Sequence, residues 1–155
     1  MAVDIETSIE IAQPRVIVAA YAADPDNATS WYANIKQVTW QTDPPLTVGT
    51  EVAFVAQFLG RRLAYTYKVI VFDPGSEFVM STSQGPFPMT TTYTWADTAT
   101  GGTRMTLRNR GQPSGFSRIT APMMASAMRK ANNKDLNALK AILEHQSTNR
   151  ATRAP

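Results

Sequence analysis

One histidine and no cysteine occur among the 155 residues, and this narrows the chemistry the chain can do. Without thiols there are no disulfides, thiolate metal sites or cysteine nucleophile, and one imidazole cannot complete the usual zinc set. His145 falls in the last turn of a helical stretch, where a cation interacts well with the helix dipole, so it reads as a surface cap. The acids fall on turns or outward positions: Asp24, Asp26, Asp43, Asp73 and Asp97 in loops, Glu51 and Glu77 on wet strand faces, Asp135 and Glu144 on the helix. No carboxylate in an apolar place is expected, and acid–base catalysis therefore lacks a proton carrier. Gly101-Gly102 and Gly111-Gln112-Pro113-Ser114-Gly115 lack the strand–glycine–helix spacing and the lysine of a phosphate loop, and read as turns. What remains is a set of hydroxyls and one amide at inward strand positions: Tyr65, Tyr67, Thr91, Tyr93 and Asn109. Such groups can hydrogen-bond a bound molecule. They can also orient a reactive polyketone and steady an enolate, leaving bond formation to the substrate's own reactivity.

Period-two alternation sets those inward positions. Residues 4–11 alternate strictly, with Ile5, Thr7, Ile9 and Ile11 on one face. Pro14 opens a short helix over 16–23 that Asp24-Pro25 ends. A second short helix from about Asn27 presents Trp31, Tyr32 and Ile35 before the chain extends at 36–41. Asp43-Pro44-Pro45, Gly49, Gly60, Asp73-Pro74-Gly75, Gln84-Gly85-Pro86 and Gly101-Gly102 then cut the middle of the chain into pieces of strand length. Polar residues mark each wet face and leave Val52, Phe54, Ala56 and Phe58 inward, then Leu63, Tyr65, Tyr67 and Val69, then Phe78 and Met80. Met89, Thr91, Tyr93 and Trp95 follow, with Met105, Leu107 and Asn109 last.

After the 111–115 turn the period becomes helical. Ile119, Met123, Met124, Ala127, Met128, Ala131, Leu136, Leu139, Ile142 and Leu143 recur on one stripe up to about His145, with Pro122 either kinking the front or marking its first turn. Residues 147–155 are polar, basic and aperiodic and are expected to be disordered, which leaves one domain over 1–146. The sum is an α+β domain. A seven-stranded curved antiparallel sheet wraps around a long C-terminal helix, with two short helices between the first and second strands.

One helix cannot fill the inward surface of a strongly curled sheet, so a cavity between them is expected. Its candidate ligand contacts are Trp31, Phe54, Tyr65, Tyr67, Phe78, Met80, Met89, Thr91, Tyr93, Met105, Asn109, Met123, Met124, Ala127 and Met128. Aromatics with a polar tip and adaptable thioethers suit a ligand with a flat or flexible apolar body and one or two polar groups. Much of the basic excess behind the net charge of +3 sits in Arg104, Arg108 and Arg110 of one strand and Arg150 and Arg153 of the tail, with no aromatics interleaved, so no nucleic acid is expected. An acidic start and the lack of a long apolar run predict a cytoplasmic protein with no membrane span.

The stretch Gly85-Pro86-Phe87-Pro88-Met89 through Tyr93-Thr94-Trp95 to Thr103-Arg104-Met105-Thr106-Leu107-Arg108-Asn109-Arg110-Gly111 resembles the START-like (SRPBCC) superfamily of polyketide cyclase/dehydrase and lipid-transport type. So do Gly115-Phe116 and the helical run from Met128 to Lys140. The resemblance covers Ile5 to Leu143 and implies a helix-grip fold. Its members include lipid and hormone binders and aromatase/cyclases, with no shared catalytic motif, so it assigns no catalytic residue, metal or cofactor here. It implies binding or carriage of a small hydrophobic or aromatic molecule, and the outward row Thr90, Thr92 and Thr94, able to pair two sheets or to meet solvent, leaves the chain a monomer or homodimer. Polyketide cyclase or dehydratase activity is the alternative.

Overall fold

The computed structural model describes residues 2–113 and 119–153, and in it each alternating stretch of the sequence is a strand. These are β1 Val3–Ile11, β2 Ile35–Trp40, β3 Glu51–Phe58, β4 Arg61–Asp73, β5 Glu77–Gln84, β6 Met89–Asp97 and β7 Thr103–Gly111. They form one antiparallel sheet in the order β1-β7-β6-β5-β4-β3-β2, curved around the C-terminal helix. Strands β2 to β7 are neighbours in chain order, as short turns dictate. Only β1 crosses over: the two short helices carry the chain away from it, and its free side is taken by β7 in the register Val3↔Gly111 to Ile11↔Thr103. Gly111 lies opposite both Val3 and Met89, and a Cβ there would run into the Pro88 carbonyl oxygen, so the residue must be glycine.

The helices start and stop where local chemistry requires. Helix α1, Arg15–Ala23, begins after Pro14 and ends at Asp24. The Asp24 carboxylate accepts from the Asp26 N–H at 3.0 Å and begins a 3-10 turn over Pro25–Asn27, an element the sequence reading did not resolve. Helix α2, Ala28–Trp31, follows directly. In β4 a register shift at Val69/Val71 interrupts the alternation and turns Ile70 and Val71 outward.

Helix α3 runs Ala121–Arg153. Thr120 Oγ1 accepts from the Met123 N–H at 3.4 Å, and Pro122 stands in the first turn, where a missing N–H costs nothing. The helix does not end near His145, and the tail expected to be disordered from Ser147 is helical as far as Arg153. Residues 147–153 contain neither Gly nor Pro, and propagation adds one hydrogen bond for each residue fixed. His145 is therefore an exposed residue within the helix and not its terminal cap. Gly115-Phe116, quoted above for the resemblance, lie outside the described residues.

The interior divides into two halves along α3. Leu136, Leu139 and Leu143 are fully buried against Ile11, Trp95, Met105 and Leu107 in one solid cluster, each Leu contributing roughly 1.5–3 kcal/mol by leaving water. Side chains clamp that half of the helix to the end of β1. Gln13 Nε2 donates to the Leu143 carbonyl at 2.7 Å, Glu144 Oε2 accepts from the Ala12 N–H at 3.1 Å, and Lys140 Nζ donates to the Glu10 carbonyl at 2.7 Å. The other half gathers Val3, Val52, Phe54, Leu63, Tyr67 and Met89 around Met124. No helix among the described residues is long and apolar enough to cross a membrane.

Candidate functional site

Between the sheet and the first half of α3 lies a cavity of about 160 Å³. An engineered apolar cavity of similar size accommodates one aromatic ring. Strands β3 and β4 contribute Phe54, Tyr65 and Tyr67; β5 contributes Phe78 and Met80; β6 contributes Met89, Thr91 and Tyr93; and β7 contributes Asn109. Trp31 closes it from α2, and Met124 and Met128 from α3. The aromatic wall is built edge to face: Tyr65 and Tyr67 have ring centroids 5.2 Å apart at 88°, and Phe54 meets Tyr67 at 5.9 Å and 74°.

Three residues expected at the cavity do not line it. Met105 points inward as its strand position requires, but it belongs to the solid half of the interior beside Trp95 and Leu107. Met123 is 59% exposed, because it stands one helical position, about 100°, from Met124, which is fully buried. Ala127 is half-buried and does not line the cavity.

The polar atoms of the sheet wall mostly satisfy one another. The Tyr67 hydroxyl and Thr91 Oγ1 lie 3.2 Å apart, and Thr91 Oγ1 donates to Asn109 Oδ1 at 2.9 Å. The Tyr93 hydroxyl is bonded to that of Tyr32 at the end of α2. Burial pushes the Tyr67 phenol up to about 12 and holds those of Tyr32, Tyr65 and Tyr93 further above their ordinary value. These phenols stay neutral at physiological pH and act as hydrogen-bonding groups.

The helix side is different, and the sequence reading missed it. Asp135, assigned above to a wet position, is 3% exposed and lines the cavity. One carboxylate oxygen accepts from the Ala33 N–H at 3.0 Å, which pins the end of α2 to α3. Burial raises the Asp135 carboxyl to about 6, against the opposing pull of that hydrogen bond and of Lys134. One turn earlier, Asn132 is buried and so is Trp31, with Asn132 Nδ2 and Trp31 Nε1 unpartnered among the described residues. A signal was present. Met124, Met128, Ala131 and Asp135 recur at the spacing i, i+4, i+7, i+11, the same stripe that marked the inward face. The assumption that an acid must face water overrode it. Tyr32 carried no spacing signal, since its role depends on a partner 61 positions away.

Among the described residues no group of three or more His, Cys, Asp or Glu could hold a metal ion. Among the described residues Lys, Arg and His are absent from the lining, whose charged members are Asp24 and Asp135.

Comparison with known proteins follows the same lines. The sequence profile of the family described as polyketide cyclase / dehydrase and lipid transport matches residues 2–144. No curated protein sequence matches the chain. Among solved structures, a START superfamily protein from Mycobacterium smegmatis is 12% identical with a TM-score of 0.79, over 92% of this chain and 98% of that one. The Zhui aromatase/cyclase from Streptomyces sp. R1128 is 15% identical with a TM-score of 0.77, over 95% and 96%. A protein of Thermus thermophilus is 15% identical with a TM-score of 0.79, over 94% and 99%.

Proposed function

We propose that this chain, which belongs to the polyketide cyclase/dehydrase and lipid transport family, binds and carries a small hydrophobic or aromatic molecule in the cavity between its sheet and α3. The observation that carries this reading is the division of the interior. A chain able to pack Leu136, Leu139 and Leu143 solidly leaves a space of about 160 Å³ under Met124 and Met128, walled by aromatic rings. Met80, Met89, Met124 and Met128 line that space, and their unbranched thioethers can shift to admit bodies larger than one ring. The domain responsible is the stretch 1–146 named from the sequence.

Methionine-methyl NMR tests the reading directly. Titration with ethylbenzene, a neutral one-ring probe, is expected to shift the methyls of Met80, Met89, Met124 and Met128 and to leave those of Met105 and Met123 in place. Shifts absent from the cavity methyls, or spread evenly over all of them, would remove the support for a cavity ligand.

One observation favours the second reading, a cyclase or dehydratase acting on a poly-β-ketone or aromatic polyketide intermediate. Asp135 is a buried carboxyl poised near 6 in an apolar space, as a group that gives and takes protons near neutral pH must be. The likeness in fold to an aromatase/cyclase is consistent with it. Turnover of a poly-β-ketone that disappears in Asp135→Asn would establish this reading over simple carriage.

A further inference from the structure

The cavity's unsatisfied chemistry is all of one kind and all at one end. Trp31 is 2% exposed and Asn132 is 6% exposed, yet Trp31 Nε1 and Asn132 Nδ2 donate to no atom of the described residues. A buried donor without an acceptor costs about 1–3 kcal/mol, so native structures seldom leave one, and here two belong to residues that line the same cavity. Helices α2 and α3 pack together, and the Ala33–Asp135 hydrogen bond holds the end of α2 one turn beyond Asn132. On the opposite wall Tyr67, Thr91 and Asn109 are bonded among themselves and Tyr93 is bonded to Tyr32, and no acceptor of the described residues bonds the two donors.

The charge of the ligand is constrained by the same residues. Among the described residues Asp24 and Asp135 are the charged groups on the lining, with no cation on it. The groups that act on Asp135 are the Ala33 N–H and, from its own helix, Lys134, while Asp135 in turn helps to hold the phenols of Tyr32 and Tyr93 in their neutral form. A ligand carboxylate placed here would be desolvated next to an acid with no partner of opposite sign. We propose that the ligand is a neutral molecule with an apolar ring or chain and a carbonyl-type oxygen. That oxygen is seated toward Trp31 Nε1 and Asn132 Nδ2, and anionic ligands such as fatty acids are rejected. This rests on the cavity-binding reading above and specifies its ligand class.

Three one-ring probes separate the possibilities: ethylbenzene, which has no acceptor, acetophenone, which has a carbonyl, and benzoate, which carries a charge. Ethylbenzene is the greasier of the neutral pair, so the informative quantity is the ratio of the two affinities and its change on mutation. The ratio of acetophenone to ethylbenzene affinity, read from the cavity methionine methyls, is expected to fall about three- to tenfold in Asn132→Leu, as loss of one hydrogen bond requires. Trp31→Phe should lower it similarly, and Asn132→Leu carries the test by itself where the indole is needed for packing. Benzoate should bind more weakly than acetophenone at about pH 7 and gain in Asp135→Asn.

An unchanged ratio in Asn132→Leu overturns the proposal, as does benzoate binding more tightly than both neutral probes to the unsubstituted protein. Failure of both neutral probes to move the cavity methyls overturns the binding reading beneath it, and the two failures are told apart by ethylbenzene alone.

Discussion

Replacing Asp135 by asparagine is expected to stabilise the protein at neutral pH, even though the carboxylate is buried and accepts a hydrogen bond from Ala33. The folded state holds the carboxyl proton up to about 6, against the ordinary 3.8. At 1.36 kcal/mol per unit, a difference of roughly two units is about 3 kcal/mol. The group's folded value is raised, so this stability is fully present below about pH 4 and is lost as the pH rises through about 6. Asparagine keeps the acceptor for Ala33 and does not ionise, but its amide N–H groups add a pH-independent cost of about 1 kcal/mol. The informative quantity is therefore the difference in unfolding free energy between Asp135→Asn and the parent. It should rise by about 2–3 kcal/mol from pH 4 to pH 7, nearly all of it before the pH passes about 6. Urea titrations at several pH values measure it, and carboxylates elsewhere cancel in the difference. The phenols of Tyr32 and Tyr93 ionise far above this range and do not interfere. A difference that stays flat within about 0.5 kcal/mol over the whole span would mean that Asp135 is solvated, and the reasoning about the polar end of the cavity would go with it.

Two further substitutions probe the packing. Tyr93→Phe should cost about 1–3 kcal/mol because it strips the Tyr32 hydroxyl of its partner, and the double change of Tyr32 and Tyr93 to Phe should cost clearly less than the sum of the single ones; strict additivity in a urea double-mutant cycle would show that the two phenols do not interact. Leu139→Ala should cost about 2–5 kcal/mol and Met123→Ala less than about 0.5, by chemical denaturation. A Leu139 effect as small as the Met123 one would place the wrong face of α3 against the sheet.

The fold was legible because its two periods are clean. The alternation of Ile5, Thr7, Ile9 and Ile11, or of Met89, Thr91, Tyr93 and Trp95, leaves one register that buries the apolar set, and the switch of period after Gly111 marks the long helix α3. The cavity wall on the sheet was legible for the same reason. The residues that distinguish this cavity from a filled core were not. Whether an inward Met105 meets a neighbour or a space depends on how far the sheet bends, and no single strand encodes that. Asp135 and Asn132 were hidden because polarity alone was used to assign the wet face, whereas burial of a polar group depends on partners contributed by distant segments, such as the Ala33 N–H. The extension of α3 past His145 was missed because tertiary pattern was sought where simple propagation of backbone hydrogen bonds was enough.

The clamp between the far half of α3 and the end of β1 makes the helix a cantilever. Gln13, Glu144 and Lys140 fix one end, and the three leucines seat it. The overhanging end carries Met124 and Met128 above the hollow, held through Asp135 to the backbone of Ala33. Amide exchange should accordingly slow along the rod from Met124 toward Leu143, since opening free energy follows local packing.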